Sequence, residues 1–388
     1  MKEGWTYKKL GEVARVQNGY AFDSKLFNEN GNGTPLIRIR DIKRNHTYTY
    51  TTEDCSKEFF IENGDLLIGM DGDFNVCTWE GGHAYLNQRV CHVIPSNQVI
   101  AKFLYYLLPF PLKRINDKTT FATVKHLSSK QVGNIMMPVP SLYEQQRIVE
   151  RLDSAFENID KLKANAEKQL AEARILFQKS LAKAMEPKEG WEERNLKEIT
   201  TKIGSGATPL GGRKVYINEG VSLVRSMNVH YNEFKYDDLA HINDDAANQL
   251  SGVELKQNDV LFNITGASIA RCCVLPDDVI PARVNQHVAI LRPVTEIITP
   301  QYLCLCLISS KHQTKLLKKG EAGSTRQALT KADLENYTIS LPPLSVQQRI
   351  VERLDSLSEN VRKYEKIQRQ MISECDALKQ ALLRKVFE

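Results

Sequence analysis

A ten-residue stretch that occurs twice constrains this chain more than any other feature of its 388 residues. Residues 145–154 read Gln-Gln-Arg-Ile-Val-Glu-Arg-Leu-Asp-Ser, and residues 347–356 repeat them letter for letter at an offset of 202. The match continues without a gap to Glu157-Asn158 and Glu359-Asn360. A repeat at this spacing indicates two domain-sized copies rather than the short units of a solenoid.

The repeated segment has the pattern of a long helix. Once the repeated stretch begins, no glycine or proline appears until Pro187 in the first copy, and none appears to residue 388 in the second. Each helix is therefore roughly 60 Å long at 1.5 Å per residue. Apolar positions alternate in steps of four and three, which predicts that the two helices pair as a coiled coil. The predicted seam is Ile148, Leu152, Ala155, Ile159, Leu162, Ala166, Gln169, Ala173 and Leu176 in the first copy, and Ile350, Leu354, Leu357, Val361, Tyr364, Gln368, Met371, Cys375 and Leu378 in the second.

A second match shows that the two copies are related by a single offset when the sequence is read as a closed ring. Lys2-Glu3-Gly4-Trp5 recurs as Lys188-Glu189-Gly190-Trp191 at an offset of 186, and the two offsets add up to the chain length. We therefore predict an α+β fold, in which two similar α/β globules are separated by two long antiparallel helices and related by a pseudo-two-fold axis. The predicted boundaries are 1–140 and 188–342 for the globules, and 141–187 and 343–388 for the helices.

Composition limits the class of protein. With 42% hydrophobic residues, each half can bury its own core. No apolar run reaches the ~18–20 residues of a membrane span, and the N-terminus has no apolar signal region, so we expect a cytoplasmic protein with no membrane partner. The eight cysteines have no paired spacing, which favours reduced thiols over disulfides or a metal site.

The distribution of charge separates the helices from the globules. The net charge is +5, yet residues 144–186 carry eight acidic and eight basic side chains. The basic excess therefore lies mostly outside the first helix. A neutral helix suits contact with protein, and a basic remainder suits contact with DNA.

Within the globules, frame segments repeat while loops differ. Residues 36–42 and 223–229 alternate apolar and polar side chains, as half-buried strands do, and place Arg38 and Arg225 at the same position. Such arginines either pair with phosphates and guanine edges or form surface ion pairs, and both readings stay open. The turns Gly64-Asp65 and Asn258-Asp259 match, as do Asn87-Gln88 and Asn285-Gln286, whereas loops 69–75 and 263–268 diverge. A shared frame with different loops suits one module adapted to two targets.

Two such globules, each followed by a long helix with the motif Pro-x-x-x-x-Gln-Gln-Arg-Ile-Val, resemble the specificity subunit of type I restriction–modification enzymes. The resemblance covers the whole chain, and the helix motif in its tandem arrangement is more specific than the globules. One departure is Val346, which stands where the first copy has Glu144 and where the family often has an acid.

The resemblance implies that each globule reads one half of a bipartite double-stranded DNA site. It implies that the helices set the distance between the halves and dock two methyltransferase subunits, with restriction subunits in the full complex. S-adenosylmethionine is then expected in the methyltransferase partner, and this chain is expected to hold no cofactor, metal or catalytic residue.

Base reading needs donors and acceptors on loops and strands. The candidates are Arg38, Arg40, Lys43, Arg44, Asp71, Asp73 and Asn75 in the first globule, and Arg225, Asn228, His230, Asn263, Thr265, Arg326 and Gln327 in the second.

Two alternatives remain open from the residues alone. A coiled-coil scaffold whose globules bind proteins would show no sequence-specific DNA binding, and a DNA-modifying enzyme would transfer methyl groups by itself. The chain has no Gly-x-x-x-x-Gly-Lys-Ser/Thr loop and no Asn-Pro-Pro-aromatic stretch, which disfavours a motor and an adenine methyltransferase. Glu254-Leu255-Lys256 has a nuclease-like spacing, but Pro276-Asp277 follows it rather than preceding it.

Overall fold

The computed structural model describes residues 4–118, 125–321 and 328–388. The chain divides into two compact units. Unit 1 comprises Met1–Asn165 and Met371–Glu388, and unit 2 comprises Ala166–Gln370. Each unit therefore holds one globule together with a part of each long helix.

The elements follow one another in the same general order in both units. Those from the N-terminus to the end of the first long helix are β1 Thr6–Lys9, α1 Leu10–Val13, β2 Ala14–Asn18, β3 Phe27–Asn28, β4 Thr34–Ile37, β5 Tyr50–Thr51, β6 Phe60–Ile61, β7 Leu66–Gly69, β8 Val76–Thr78, β9 Ala84–Leu86, β10 Val90–Pro95, α2 Ala101–Leu107, α3 Pro109–Lys118, α4 Ser129–Gly133, β11 Met136–Val139 and α5 Leu142–Ala184. Those that follow are β12 Glu192–Asn195, α6 Leu196–Ile199, β13 Thr200–Ser205, β14 Tyr216–Ile217, β15 Val221–Val224, β16 Val229–His230, β17 Glu233–Phe234, β18 Ala240–Ile242, α7 Asp244–Gln249, β19 Val260–Asn263, β20 Cys272–Val274, β21 Ala282–Val284, β22 Val288–Pro293, α8 Pro300–Ile308, α9 Ser310–Glu321, α10 Lys331–Glu335, β23 Thr338–Leu341 and α11 Leu344–Phe387.

Each globule is built on an antiparallel four-stranded sheet with the same strand order, β2-β10-β7-β8 in unit 1 and β13-β22-β19-β20 in unit 2. The inner strand β7 is apolar throughout because both of its faces are covered. Leu66 and Ile68 pack in the core formed with the helices, whereas Leu67 packs on the other side with Trp79 and the outer sheet. A strand that is buried on both faces loses the usual alternation of apolar and polar residues.

The outer sheets are where the two globules differ. Unit 1 has a five-stranded sheet of order β3-β5-β4-β9-β6, and unit 2 has a four-stranded sheet of order β14-β18-β15-β21. Unit 2 also carries the hairpin β16-β17 and the helix α7, which unit 1 lacks among its described residues. The sequence divergence between the two copies is therefore concentrated on one side of a common central sheet.

The first glutamine of the repeated stretch fixes the start of α5 to the unit 1 globule. Gln145 is fully buried. Its side-chain oxygen accepts the backbone N–H of Ile100 at 2.9 Å. Its side-chain nitrogen donates to the carbonyls of Gln98 at 3.0 Å and Pro140 at 2.9 Å. One side chain thus satisfies three backbone groups at the start of α2 and α5.

Gln347 repeats this arrangement at the start of α11 in unit 2. It is also fully buried. It accepts from the N–H of Thr299 and donates to the carbonyls of Ile297 and Pro342, each at 2.9 Å. The identity of the repeated stretch therefore has a structural cause at this position, because an apolar residue in place of this buried amide would leave three backbone groups without a partner.

The long helices pack against each other antiparallel, as the ion pairs within unit 1 show. Lys163 of α5 pairs with Asp376 of α11 at 2.8 Å, and Asp160, one turn earlier, pairs with Lys379, one turn later, at 2.5 Å. In unit 2, Arg174 pairs with Glu365 at 2.7 Å. The predicted α+β class is confirmed, with two strand-rich globules and two long helices that pack together.

Half of the predicted coiled-coil seam is correct, and the other half is displaced by one residue. Leu152, Ile159 and Ala166 are buried. The intervening position is Phe156, which packs in the unit 1 core, rather than Ala155 as predicted. Because neighbouring residues are both apolar here, the four-and-three alternation can start at either one. The same shift recurs along both helices and leaves six predicted seam residues exposed: Leu162, Gln169, Leu176, Tyr364, Met371 and Leu378.

Candidate nucleic-acid interface

In each unit, a glycine follows the first strand of the central sheet and packs against the backbone at the Asn-Gln loop of that unit. The N–H of Gly19 donates to the carbonyl of Val90 at 3.0 Å. A Cβ at Gly19 would lie 2.3 Å from the Asn87 carbonyl oxygen, and one at Gly206 would lie 1.8 Å from the Val284 carbonyl oxygen. Only glycine permits this close approach of two backbone segments in either unit.

Three loops meet beside this contact in unit 1, and we call residues 69–75, 87–89 and 125–128 the first junction. Their backbones are joined by hydrogen bonds from the N–H of Met70 to the Arg89 carbonyl at 2.9 Å and from the N–H of Leu127 to the Met70 carbonyl at 2.7 Å. Asp71 and His126 form a bridge in the same place. Segments far apart in the sequence are thus fixed to one another by their backbones.

The second junction, residues 263–268, 285–287 and 328–330 of unit 2, has the same backbone connections. The N–H of Ile264 donates to the His287 carbonyl at 3.0 Å, and the N–H of Leu329 donates to the Ile264 carbonyl at 2.8 Å. Thr265 and Ala328 form the equivalent bridge. The two junctions therefore share one backbone frame.

The side chains on this frame differ between the junctions. In the first, the Asp71 carboxylate lies 2.6 Å from Nδ1 of His126 and 3.6 Å from a terminal nitrogen of Arg89. In the second, the Thr265 hydroxyl is hydrogen-bonded to Nδ1 of His287 at 2.6 Å. The first junction thus presents an arginine held by a carboxylate, and the second presents a histidine held by a hydroxyl.

The predicted arginines of unit 1 lie beyond the end of a strand rather than within one. Strand β4 ends at Ile37, and Arg38 begins a 3₁₀ turn, so the predicted strand 36–42 is shorter than expected. The Arg38 guanidinium lies over the Phe27 ring at 5.5 Å. Arg40 pairs with Glu29 at 3.3 Å, and Arg44 is exposed. The turn begins because Asp41 accepts the Arg38 N–H at 2.8 Å, which ends the extended run.

Two predicted segments of unit 1 do come together. Lys43 pairs with Asp73 at 2.7 Å, and both side chains are exposed. The hydrogen bond from the Lys43 ammonium holds the pKa of the Asp73 carboxyl below its usual range. Asn75 closes the same loop, since its carbonyl accepts the N–H of Gly69 at 2.9 Å. Asp71 lies in the first junction, next to this pair in the sequence.

In unit 2 the structure uses two of the predicted base readers to hold loops together. Asn228 and Asn263 are fully buried. Asn228 accepts the N–H of Arg225 at 3.0 Å and donates to the Lys235 carbonyl at 2.9 Å. Asn263 donates to the Ser226 carbonyl at 2.8 Å. Because these amides have no exposed surface, neither side chain is proposed to contact DNA.

The remaining predicted residues of unit 2 have varied positions. Arg225 follows the end of β15, donates to the Asp238 carbonyl and lies over the Tyr216 ring at 5.7 Å. His230 lies in β16, and Thr265 lies in the second junction. Arg326 and Gln327 lie outside the described residues.

Arg89, His126 and His287 belong to the junctions but are absent from the predicted set. A signal for two of them is present in the sequence, because Arg89 and His287 directly follow the repeated pair Asn87-Gln88 and Asn285-Gln286. A position that differs immediately after a matched pair marks a change of side chain on a fixed backbone. Their contacts with residues 71 and 265 come from folding and have no counterpart in sequence spacing.

Neither a metal site nor a membrane span is found in the part of the chain that the structure describes. Across residues 4–118, 125–321 and 328–388, no three His, Cys, Asp or Glu side chains are grouped so that they could hold a metal ion. No helix in this described part of the chain combines the length and the apolar character needed to cross a membrane.

Comparisons with known proteins cover the whole chain. The family model described as the type I restriction modification DNA specificity domain matches residues 2–172 and 188–370, one match in each half. The EcoBI specificity subunit of Escherichia coli is 31% identical to this chain over 99% of the chain and 86% of the relative. The MjaVIII specificity subunit of Methanocaldococcus jannaschii is 25% identical over 92% of the chain and 86% of that relative.

Solved structures share the fold. A chain from a structure of the assembly and conformational transition of a type I restriction–modification system superposes with a TM-score of 0.76 at 20% identity, covering 100% of this chain and 98% of that one. The HsdS subunit from Thermoanaerobacter tengcongensis gives a TM-score of 0.60 at 21% identity, over 100% and 97% of the two chains. With the two family-model matches and the EcoBI relative, these findings establish that the chain belongs to the family of type I restriction–modification specificity subunits.

Proposed function

We propose that this specificity subunit reads a bipartite double-stranded DNA site, with one half read by each unit. The observation that carries the proposal is the pair of junctions, which have the same backbone frame and different side chains. Base edges in the major groove are distinguished by donors and acceptors at fixed positions. Two equal frames that carry Asp71, Arg89 and His126 in one case, and Thr265 and His287 in the other, suit two half-sites of different sequence.

The reading domains are proposed to be residues 1–140 and 188–342. In unit 1, the exposed Arg44 is proposed to contact a phosphate. Contacts of this kind position a protein on DNA without specifying sequence. The net charge of +5 supports this role, because residues 144–186 of the first helix are neutral. A role in reading DNA supports the further proposal that the chain acts in the cytoplasm.

The long helices are proposed to dock two methyltransferase subunits, one for each half. The exposed side chains that lie just outside the seam support this. Leu162 is 53% exposed and its repeat equivalent Tyr364 is 38% exposed, while Leu176 is 55% exposed and its equivalent Leu378 is 49% exposed. Apolar side chains at equivalent places on the two copies offer the same contact surface twice.

Chemistry is assigned to the partners. The methyltransferase subunits are proposed to bind S-adenosylmethionine, and restriction subunits to join the full complex, while this chain contributes recognition. The helices α5 and α11 have 43 and 44 residues without a break. At 1.5 Å per residue each is about 65 Å long, so we propose that they set the unread gap between the half-sites.

Selection from randomised duplex DNA by the chain together with its methyltransferase subunits tests this proposal. We expect two short specified blocks of different sequence with a spacer of constant length between them. A chain in which Arg194, an exposed residue of β12 outside both junctions, is replaced by alanine is the matched control and should select the same blocks. A complex that selects no sequence would favour the scaffold alternative, and methyl transfer by the chain alone would favour the enzyme.

A further inference from the structure

Arg89 and Asp71 form a pair whose geometry suits the reading of one particular base. We propose that Arg89 reads a guanine in the half-site bound by unit 1, and that Asp71 is the positioning residue that holds its guanidinium. This inference rests on the proposed function and specifies it further, because it names the base and the side chain that reads it.

The first step concerns which guanidinium nitrogens of Arg89 remain able to donate hydrogen bonds to a ligand. One terminal nitrogen lies 3.6 Å from the Asp71 carboxylate and 3.3 Å from Nδ1 of His126. Among residues 4–118, 125–321 and 328–388, no acceptor is hydrogen-bonded to the other terminal nitrogen or to Nε. These two nitrogens form one edge of the planar guanidinium, with parallel N–H groups. That edge matches the two acceptors of guanine, O6 and N7.

The second step concerns exposure and order. The Arg89 side chain is 51% exposed, whereas that of Asp71 is 20% exposed. The carboxylate is therefore the more buried partner of the pair, and about half of the Arg89 side chain stays open to solvent. The backbone of Arg89 is fixed as well, because its carbonyl accepts the N–H of Met70 at 2.9 Å. An arginine that is fixed before binding loses little side-chain freedom when a base arrives.

The third step explains why Arg89 is better suited to bind a base than a phosphate. A phosphate is an anion, and a carboxylate 3.6 Å from the guanidinium repels it and neutralises part of the arginine charge. A base edge is neutral and gains the same two hydrogen bonds without that repulsion. The pair Arg89–Asp71 is therefore better suited to guanine than to the DNA backbone, unlike the exposed Arg44 of the same unit.

The second junction supports the assignment by contrast. His287 occupies the place of Arg89, and Thr265 occupies that of Asp71, in the same backbone bonds. The position that follows the Asn-Gln pair therefore changes its side chain together with the residue that holds it. A coupled change of this kind suits a specificity-determining pair rather than a conserved structural contact.

The test uses the complex of the full chain with its methyltransferase subunits, and it repeats the selection with Arg89→Ala, Arg89→Gln and Asp71→Asn. For Arg89→Ala we expect the preference for guanine at one base pair of one half-site to fall by about 5- to 150-fold, with the other half-site unchanged. Arg89→Gln should move the preference at that base pair toward adenine, whose N6 and N7 match the glutamine amide.

Asp71→Asn distinguishes a positioning role from a merely structural one. Without the Asp71 carboxylate, the net charge of the first junction rises by one, so nonspecific DNA binding should rise and its salt dependence should steepen while discrimination for guanine falls. Adding Asp71→Asn to Arg89→Ala should then change the guanine preference no further. Arg194→Ala, which removes an equally exposed arginine paired with Glu192 at 2.7 Å, should leave every preference intact.

Three results would overturn the proposal. The first is an equal loss of affinity for all sequences with Arg89→Ala, accompanied by a salt slope smaller by about one, which identifies a phosphate contact. The second is a change of preference at a base pair other than G·C, and the third is an unchanged selection. If the unaltered complex selects no sequence at all, the proposed function itself fails, and that outcome is recognised without any Arg89 variant.

Discussion

The same ten residues occupy two different surroundings in units 1 and 2, and they make equal contacts at one position and different contacts at another. Gln145 and Gln347 make the same three hydrogen bonds to backbone groups. Eight residues further on, Asp153 accepts from the Tyr106 hydroxyl at 2.5 Å and pairs with Lys102 at 2.9 Å. Asp355 has no such partner among the described residues, and partial burial raises the pKa of its carboxyl.

This contrast shows which contacts of the repeated stretch are the same in both units and which are free to differ. Partners that are backbone groups are supplied by the fold and return in both units, whatever the local sequence. Partners that are side chains are free to differ, and they do. The junctions follow the same rule, because their backbone bonds are equal while their side chains are not.

A second pair of aspartates, Asp65 and Asp259, also shares its backbone partner between the units and differs in its side-chain partner. Asp65, which directly precedes β7, accepts the N–H of Glu62 at 2.9 Å, and its carboxylate lies 3.4 Å from His92. Partial burial acts to raise the pKa of Asp65, but the hydrogen bonds from His92 and the Glu62 N–H outweigh it and hold the pKa below its usual range. Its side chain is 30% exposed.

Asp259 is the equivalent residue in unit 2, and its pairing is stronger. It accepts the N–H of Lys256 at 2.7 Å. Its carboxylate is fully buried and receives two bonds from Arg292, at 2.7 and 2.8 Å. The backbone bond is therefore shared by the two units, while the side-chain partner is a weak one in unit 1 and a bidentate one in unit 2.

The largest effect is expected from breaking the buried pair. Asp259→Ala should lower the local free energy of unfolding of unit 2 by about 3–5 kcal/mol, because it leaves Arg292 without its counter-charge. Asp65→Ala should cost unit 1 about 1–2 kcal/mol, since a partly exposed group is removed. Hydrogen–deuterium exchange of peptides from each unit in the full chain measures both.

A double variant provides the control for this comparison. Asp259→Ala combined with Arg292→Leu removes both charges and should recover part of the loss. Equal losses for Asp65→Ala and Asp259→Ala would show that the two turns are energetically alike and would contradict the contrast drawn between them.

A smaller effect, and an equal one in the two units, is expected from the glutamine anchors. Gln145→Ala and Gln347→Ala each leave one N–H and two carbonyls without a partner, and each should lower stability by about 2–3 kcal/mol. The neighbouring Gln146 and Gln348 are exposed, so their replacement by alanine should change stability by less than about 0.5 kcal/mol. Thermal unfolding of the four variants measures the differences.

The comparison would fail in either of two ways. If one anchor variant cost more than twice as much as the other, equal hydrogen bonds would not mean equal roles. If both resembled Gln146→Ala and Gln348→Ala, the anchors would contribute nothing beyond an exposed glutamine, and the repeat would need another explanation.

The sequence was sufficient for the fold class because a repeat reports on architecture directly. The ten-residue match and its ring of offsets predict two globules and two long helices without knowledge of any contact. The phase of the seam could not be predicted in the same way, because Ala155 and Phe156 are both apolar and only packing selects between them. The error mattered, since it placed Leu162 and Leu176 inside a seam that they border.

The candidate interface was less predictable, and for a physical reason. Asp71 and Thr265 were among the predicted residues because they lie in divergent loops. Arg89 and His126 join Asp71 from segments that are 18 and 55 residues away in the sequence. Backbone hydrogen bonds from both segments to Met70, the neighbour of Asp71, bring them together. Burial was also invisible to a pattern of polar residues, so Asn228 and Asn263 read as exposed donors although both are fully enclosed.

The central claim is that one chain carries two different readers on equal frames. Sequencing the methylated bases of a host with and without the gene for this chain tests that claim most directly. We expect methylation to disappear from a single bipartite motif, made of two specified blocks of different sequence separated by an unspecified gap of constant length. Loss of methylation from one uninterrupted motif, from two identical blocks, or from no motif would contradict the account.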